Sequence, residues 1–331
     1  MTAVAIELVD VTKDFVLRTR AGRLRRERRI VRAVDSISLT VEAGEMVGLI
    51  GPNGAGKSTT IKMLTGILVP TAGQVRVAGL DPQRHRIATA RRVGVVFGQR
   101  TQLWWDLPLA DSFDLLRHVY RVPADRHRTN LAGFIDLLDL GEFLATPVRQ
   151  LSLGQRMRGE ITAALLHDPS VLYLDEPTIG LDVVSKQRVR DFLTQVNVER
   201  GVTVVLTTHD LDDVERLCPR LVVVDHGRIV HDGTVDDVRA RYAPYRTLVV
   251  DLATPGALPP LPRATLVRSD GPRHWIRFRR DTATAAEVVA DVAALADIRD
   301  LTVEEPDIEE VIRAMYADSS RPVLECAERG L

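Results

Sequence analysis

The segment Gly51–Ser58 constrains the fold of this chain more than any other stretch. Its sequence, Gly-Pro-Asn-Gly-Ala-Gly-Lys-Ser, fits the spacing G-x-x-x-x-G-K-[ST]. The apolar residues 46–50 before it predict a buried strand, and residues 57 to about 68 predict a helix ended by Pro70. In such a turn, backbone N–H groups and a helix N-terminus hold a phosphate chain. The sequence therefore predicts an α/β protein that binds a polyphosphate.

The residue types in this loop match separate tasks. Gly54 and Gly56 allow the backbone to approach the ligand closely, Lys57 is expected to contact the β and γ phosphates, and Ser58 to bind Mg²⁺. The alternative is a glycine turn before an ordinary helix. The predicted nucleotide contacts in the loop are Gly51, Asn53, Gly54, Ala55, Gly56, Lys57, Ser58 and Thr59.

Two adjacent carboxylates follow a second apolar run. Residues 171–174 predict a buried parallel strand, which would bring Asp175 and Glu176 to the ligand crevice at its carboxyl end. Asp175 suits the Mg²⁺ shell, and Glu176 is placed to polarise an attacking water. A solvated acidic turn is the alternative, which the nearby phosphate loop disfavours.

Composition excludes several classes of protein. The 331 residues suggest two domains, and 44 Lys plus Arg against 45 Asp plus Glu exclude a uniformly basic nucleic-acid binder. Cys218 and Cys326 show no metal-ligand spacing and form no disulfide framework, which indicates a reducing compartment, the cytoplasm. No apolar run reaches the roughly 18 residues that a membrane-spanning helix needs. Any membrane role is expected to depend on a partner.

Periodicity places the remaining elements. Strands are predicted at 6–9, 31–41, 94–98, 202–206 and 221–224, and helical periodicity covers 106–149. Composition changes near Tyr242, and four prolines between 255 and 262 mark a loop. A small α+β domain is predicted beyond it, with strands at 264–268, 275–279 and 298–303 and helices at 283–295 and 308–316.

The segment Leu-Ser-Leu-Gly-Gln at 151–155, just before the acidic pair, resembles the signature motif of ATP-binding cassette proteins. Other family motifs follow in the same order: Gln99 resembles the Q-loop glutamine, Gly180-Leu181-Asp182 the D-loop, and His209 the switch histidine. Phe15 stands where the family stacks an aromatic ring on adenine. The resemblance covers about residues 4–235.

The resemblance implies a P-loop cassette fold, with a RecA-like core, an antiparallel β subdomain and a helical subdomain, plus the small C-terminal α+β domain. The expected boundaries are 1–240 for the ATP-binding domain, about 100–165 for its helical subdomain, 241–318 for the accessory domain and 319–331 for a flexible tail. The site residues that the resemblance implies beyond the loop are catalytic Glu176, His209 and Gln99, nucleotide-binding Phe15, Ser152, Gly154, Gln155 and Asp182, and Mg²⁺-binding Ser58, Gln99 and Asp175.

By the same resemblance, the chain is expected to be the ATP-hydrolysing subunit of a transporter, with ATP and Mg²⁺. Two cassettes would sandwich two ATP molecules, and polytopic permease subunits would hold the chain on the cytoplasmic face of the membrane. A soluble cassette acting on nucleic acid or ribosomes is the alternative. The single cassette and the lack of coiled-coil heptads and zinc cysteines disfavour it, and no nucleic-acid partner is expected.

Three features depart from or refine the family pattern. Leu153 replaces the usual signature glycine, so altered packing is expected there. Trp104 and Trp105, just beyond Gln99, resemble the multidrug, sodium and viologen exporter subgroup, where this region faces the permease. The alternative is that both rings pack inside the helical subdomain. The end of the chain, around 303–310, also resembles that subgroup.

A basic stretch lies between residues 18 and 32. It carries eight arginines against Glu27 alone. Such a run predicts a solvated loop. The alternative is attraction to an anionic membrane surface.

Overall fold

The computed structural model describes residues 3–20, 26–98, 100–208 and 210–319. The chain divides into two compact units, Met1–Asp232 and Gly233–Leu331. The strands of the first unit are β1 (Val4–Arg20), β2 (Arg26–Glu42), β3 (Met46–Ile50), β4 (Ala72–Val77), β5 (Val93–Phe97), β6 (Val171–Asp175), β7 (Thr203–Thr207), β8 (Arg220–Asp225) and β9 (Arg228–Gly233). Its helices are α1 (Lys57–Leu64), α2 (Arg86–Ala90), α3 (Leu109–Tyr120), α4 (Ala124–Leu138), α5 (Leu153–Leu165), α6 (Val183–Arg200) and α7 (Leu211–Leu217).

A six-stranded sheet in the order β5-β6-β7-β3-β8-β9 forms the centre of this unit. Strands β5, β6, β7, β3 and β8 run parallel. All five residues of β3 and of β7 are buried, as expected of strands covered on both faces. The carboxyl ends of β3, β6 and β7 therefore meet at one edge of the sheet.

Helix α1 is shorter than its periodicity predicts. It ends at Leu64 and not near residue 68, because Gly66 turns the backbone with a φ of 73°. The Gly66 N–H then bonds the carbonyl of Met63, and the Leu68 N–H bonds that of Lys62. This arrangement satisfies carbonyls at the end of the helix, so glycine sets the end of α1 before Pro70 is reached.

Helices α3, α4 and α5 occupy the region that helical periodicity marks. Phe113, Phe134 and Met157 are buried within them. Helix α5 lies directly on β5, where a Cβ atom on Gly94 would come within 2.3 Å of the carbonyl oxygen of Ala164. The C-terminal end of α5 is thus held against the parallel sheet.

A second sheet, in the order β2-β1-β4, is antiparallel. The prediction of a loop for the basic stretch is wrong wherever the structure describes it. Residues 18–20 continue β1 and residues 26–32 begin β2, paired in register from Asp14↔Arg32 to Arg20↔Arg26. Thr19, Ile30 and Val31 supply β-branched residues to this ladder, which favours strands despite the charge.

The second unit contains a four-stranded antiparallel sheet, in the order β11-β12-β10-β13. Its core joins Leu248, Ile276 and Phe278 of the sheet to Val288 and Val292 of a helix. The sequence missed one strand and one helix, β10 and α8. The elements are α8 (Val235–Tyr242), β10 (Tyr245–Leu252), β11 (Ala264–Asp270), β12 (Arg273–Arg279), α9 (Ala285–Ala293), β13 (Ile298–Glu304) and α10 (Ile308–Ser319).

The division falls after Asp232, earlier than the expected boundary at 240, because α8 packs against α10. Residues 320–331 of the expected tail, and with them Cys326, lie outside the described residues.

Cys218 is buried, and burial raises the pKa of its thiol to about 12. Across the described ranges, no helix is both long enough and apolar enough to cross a membrane.

Candidate nucleotide site

A cleft of about 450 Å³ opens at the carboxyl edge of the parallel sheet. It is bounded by the glycine-rich loop, the end of β5 and the acidic pair after β6. Its lining residues are Asn53, Gly54, Ala55, Gly56, Lys57, Ser58, Thr59, Lys62, Ile67, Phe97, Gly98, Arg100, Asp175, Glu176 and Ile179. The structure therefore brings together seven of the eight predicted loop contacts with both predicted carboxylates.

The remaining loop contact, Gly51, lies at the end of β3 and is held from two sides. Its carbonyl accepts a hydrogen bond of 2.6 Å from the Nζ of Lys57, and a Cβ atom on it would come within 2.2 Å of the carbonyl of Val224. Gly56 has a φ of 110°, and a Cβ atom there would lie 2.5 Å from the carbonyl of Ala33. Both positions require glycine, since backbone atoms fill the space of a side chain.

Lys57 is half-buried at the start of α1. Burial lowers the pKa of its ammonium, while the charges of Glu176 and Asp175 act in the opposite direction. Its Nζ also donates to the carbonyl of Pro52 at 3.2 Å. The ammonium is thus held over the loop, facing the acidic pair.

Asp175 joins three elements at the sheet edge. Its Oδ1 accepts a bond of 2.5 Å from the Thr207 hydroxyl at the end of β7, and its Oδ2 lies 3.4 Å from the hydroxyl of Ser58 on α1. A hydroxyl and a carboxylate side by side are the oxygen ligands that Mg²⁺ prefers.

The chain leaves β6 sharply at Glu176, whose φ of 58° is unusual for a residue other than glycine. The Glu176 N–H bonds the carbonyl of Thr207 at 2.8 Å, which holds this turn in place. Across it, the Gly98 N–H bonds the carbonyl of Asp175 at 2.8 Å. The backbone of the acidic pair is therefore fixed to the end of β7 and to the residue that follows β5.

The residues that resemble the signature and D-loop motifs form a separate group. Ser152 caps α5: its hydroxyl accepts from the N–H of Gln155 at 3.2 Å, and the Gln155 amide oxygen accepts from the Ser152 N–H at 2.9 Å. Asp182 caps α6 by accepting from the hydroxyl of Ser185 at 2.7 Å and from its N–H at 2.9 Å, and these two bonds lower the pKa of Asp182.

Leu153 and Gly154 connect these two caps. A Cβ atom on Gly180 would meet the Leu153 side chain at 2.8 Å, and one on Gly154 would meet the Ser185 hydroxyl at 3.0 Å. The leucine that departs from the family pattern thus packs on the D-loop of its own chain. We call Ser152, Leu153, Gly154, Gly180 and Asp182 the signature cluster.

The lining of the cleft contains no residue of the signature cluster and does not contain Phe15, as far as the described residues define it. Phe15 is half-buried in β1, with the Lys13 ammonium 5.3 Å from its ring centre. Gln99 and His209 lie outside the described residues. One chain therefore presents two sets of predicted site residues, and only one of them lines the cleft.

Comparison with known proteins gives the family. A family model described as ABC transporter matches residues 34–179. The daunorubicin resistance ATP-binding protein DrrA3 of Streptomyces coeruleorubidus is 33% identical over 295 residues, 88% of this chain and 93% of the relative. The chain belongs to the ATP-binding proteins of ABC transporters. It binds ATP and hydrolyses it.

Two further matches illustrate the range of this family. The methionine import ATP-binding protein MetN of Caulobacter vibrioides is 32% identical over 292 residues, 87% of this chain and 80% of the relative. A dimeric ATP-binding cassette in a post-hydrolysis state, bound to ADP and Pi, shares 27% identity at a TM-score of 0.59. That match covers 69% of this chain and 98% of the other.

The cassette contains site neighbours that the sequence analysis missed. Thr207 looks like an ordinary β-branched strand residue, and only the pairing of β6 with β7 brings it to Asp175. Arg100, which lines the cleft, follows the predicted Gln99 directly, so its position next to a motif residue was the available signal.

Glu160 on α5 also escaped prediction. Its buried carboxylate accepts from the Thr101 hydroxyl and, at 3.2 Å, from the N–H of Gln102. Its carbonyl accepts from the Gln102 side chain at 3.2 Å. Burial raises the pKa of Glu160 above its ordinary value of 4.5. The carboxylate ties the segment that follows Gln99 to the helix that begins at the signature cluster.

We expect Glu160 to make stability depend on pH in a defined direction. With its raised pKa, the folded chain keeps a proton at pH values where the unfolded chain has lost it, so stability falls as pH rises above about 4.5. Compared with Glu160→Gln, the wild type should lose urea-unfolding free energy between pH 4.5 and neutrality. Glu142→Gln, at an exposed glutamate, is the control for the loss of a carboxylate. A constant difference between wild type and Glu160→Gln across this range would contradict the account.

Proposed function

We propose that the cleft binds MgATP, with the phosphates on the Gly51–Ser58 loop and the reacting phosphate facing Glu176. The observation that carries this proposal is the meeting of Ser58, Asp175 and Thr207 beside the loop. Backbone N–H groups of the loop and the N-terminus of α1 would hold the negative charge. Lys57 would exchange its bonds to the loop carbonyls for the β and γ phosphates.

The residues present fit a magnesium ion. Ser58 and Asp175 supply a hydroxyl and a carboxylate 3.4 Å apart, and by family resemblance Gln99 completes the protein ligands. Bound with ATP, Mg²⁺ neutralises charge on the phosphate oxygens. Thr207 would orient the Asp175 carboxylate by occupying its other oxygen.

Glu176 is proposed to orient the attacking water. Its position directly after β6, with its N–H fixed to Thr207, supports a rigid orientation toward the loop. His209 and Gln99 are proposed as its catalytic partners, and Phe15 as the adenine-stacking residue, on the resemblance of their sequence positions.

The second chain is proposed to complete the site. Ser152, Gly154, Gln155 and Asp182 would contact the nucleotide held by the partner's loop. Their separation from the cleft of their own chain supports this arrangement, as does the dimeric state of the related ADP-bound cassette.

We also propose that polytopic permease subunits hold this cassette at the cytoplasmic face of the membrane. Trp104 and Trp105 are 39% and 47% exposed, and the Arg156 guanidinium of α5 lies 5.7 Å from the centre of the Trp105 ring. Exposed indole rings next to the Gln99 segment suit an interface that senses the nucleotide.

The relatives include both a resistance and an import protein. The Trp-containing segment favours export, and the second unit would be an accessory domain.

Replacing Glu176 by glutamine tests the proposed chemistry. The amide keeps the shape of the side chain but loses the carboxylate charge, so Glu176→Gln should bind MgATP normally and hydrolyse it about 100-fold more slowly or worse. Lys57→Ala is the matched comparison and should lose nucleotide affinity, since it removes a cation at the phosphates. Fluorescent-nucleotide titration and phosphate release measure the two effects. Near wild-type turnover of Glu176→Gln would refute the assignment.

Replacing both tryptophans tests the coupling role. Trp104→Ala with Trp105→Ala should leave ATP affinity unchanged and weaken association with the permease by more than about 1 kcal/mol. Transport should fall more than basal hydrolysis. Val198→Ala, at an exposed residue of α6, serves as control. If the double variant is thermally destabilised but couples normally, the rings are core packing and not an interface.

A further inference from the structure

The far end of the β1–β2 hairpin is a two-stranded ribbon. Strand β4 pairs with β1 only from Ile6 to Thr12, whereas β1 and β2 remain paired beyond that point. We call residues 14–18 of β1 and 28–32 of β2 the outer ribbon. An isolated two-stranded ribbon is at best marginally stable in water. A surface that covers it would stabilise it.

Aliphatic side chains are exposed on both faces of the outer ribbon. Val16 and Ile30 are cross-strand partners and are 50% and 65% exposed. Leu17, opposite Arg29 on the other face, is 48% exposed. Neighbouring exposed aliphatic side chains on a surface indicate a binding site more often than scattered ones do.

The arginines of the outer ribbon differ in their partners. Arg32, nearest the sheet, pairs with Asp14 at 2.9 Å and with Asp35 at 3.2 Å. Arg28 and Arg29 are exposed, and among the side chains that the structure describes no carboxylate lies within ion-pair distance of either. Among the described side chains, Arg28 and Arg29 are therefore two cations without a carboxylate partner, and they lie beside the aliphatic residues.

We propose that the outer ribbon docks on an anionic lipid bilayer. Val16, Leu17 and Ile30 would enter the interfacial zone, and the guanidinium groups of Arg28 and Arg29 would bind lipid phosphates. Single-stranded nucleic acids are bound through phosphate contacts together with stacking on aromatic rings. The exposed apolar side chains here are aliphatic, and Phe15, the aromatic residue of the outer ribbon, is half-buried. The inference extends the proposed function, because a cassette held beside a permease has the bilayer within reach.

Vesicle binding of the full chain tests this proposal without a permease. The wild type should sediment with vesicles that contain phosphatidylglycerol, bind poorly to phosphatidylcholine alone, and dissociate as salt is raised. Arg28→Ser with Arg29→Ser should lower the partition coefficient about tenfold. Val16→Ser with Ile30→Ser should lower it by a similar factor of roughly ten, since two aliphatic side chains are lost.

Helix α2 offers a matched control. Arg86, Ile87 and Arg91 are exposed there, with Ile87 at 74%, so the triple serine variant removes the same residue types elsewhere in the unit. It should bind vesicles like the wild type. ATP hydrolysis by the ribbon variants should match the wild type, and this separates a failure of docking from a failure of the proposed nucleotide site.

Three results would overturn the proposal. In the first, the wild type binds anionic and neutral vesicles equally. In the second, the α2 control loses as much binding as the ribbon variants. In the third, single-stranded RNA competes fully for the ribbon and Val16→Ser with Ile30→Ser leaves binding unchanged, which would make the ribbon a nucleic-acid surface.

Discussion

The architecture of the nucleotide cleft depends on one carboxylate that holds three elements together. Asp175 contacts Thr207 at the end of β7 and Ser58 at the start of α1. The parallel strands are buried on both faces, so their sequences are apolar and polar side chains appear only where the strands end. This places the polar groups of β6 and β7 beside the phosphate loop, and the position of the cleft follows from the sheet.

Because polar side chains appear only where the buried strands end, the predicted site residues of one chain fall into two groups. After Glu176 the chain turns away from the sheet and reaches Gly180, where Leu153 packs, and then Asp182, which caps α6. The signature cluster is therefore built on helix starts next to the acidic pair, yet it does not line the cleft. Glu160 adds a connection from α5 to the segment after Gln99. A closed site would need a second chain.

The sequence predicted local features better than contacts between distant residues. The phosphate loop and the acidic pair follow from spacing and apolar runs. Thr207 could not be predicted as a site residue, since its role comes from the neighbouring strand, and a glutamate such as Glu160 in an amphipathic helix ordinarily faces water. For the basic stretch, the run of charge predicts a loop, whereas its described residues pair as two strands. The assigned roles of Gln99 and His209 stay predictions.

In the proposed arrangement, a nucleotide in the cleft is enclosed by the signature cluster of a second chain. The direct measurement is the mass of Glu176→Gln in solution by light scattering, with and without MgATP, alongside the same variant carrying Ser152→Ala. Glu176→Gln should be a dimer only with ATP, and the double variant should be a monomer under both conditions although it still binds ATP. A strict monomer for Glu176→Gln at saturating ATP, or equal dimerisation of both variants, would contradict the proposed arrangement.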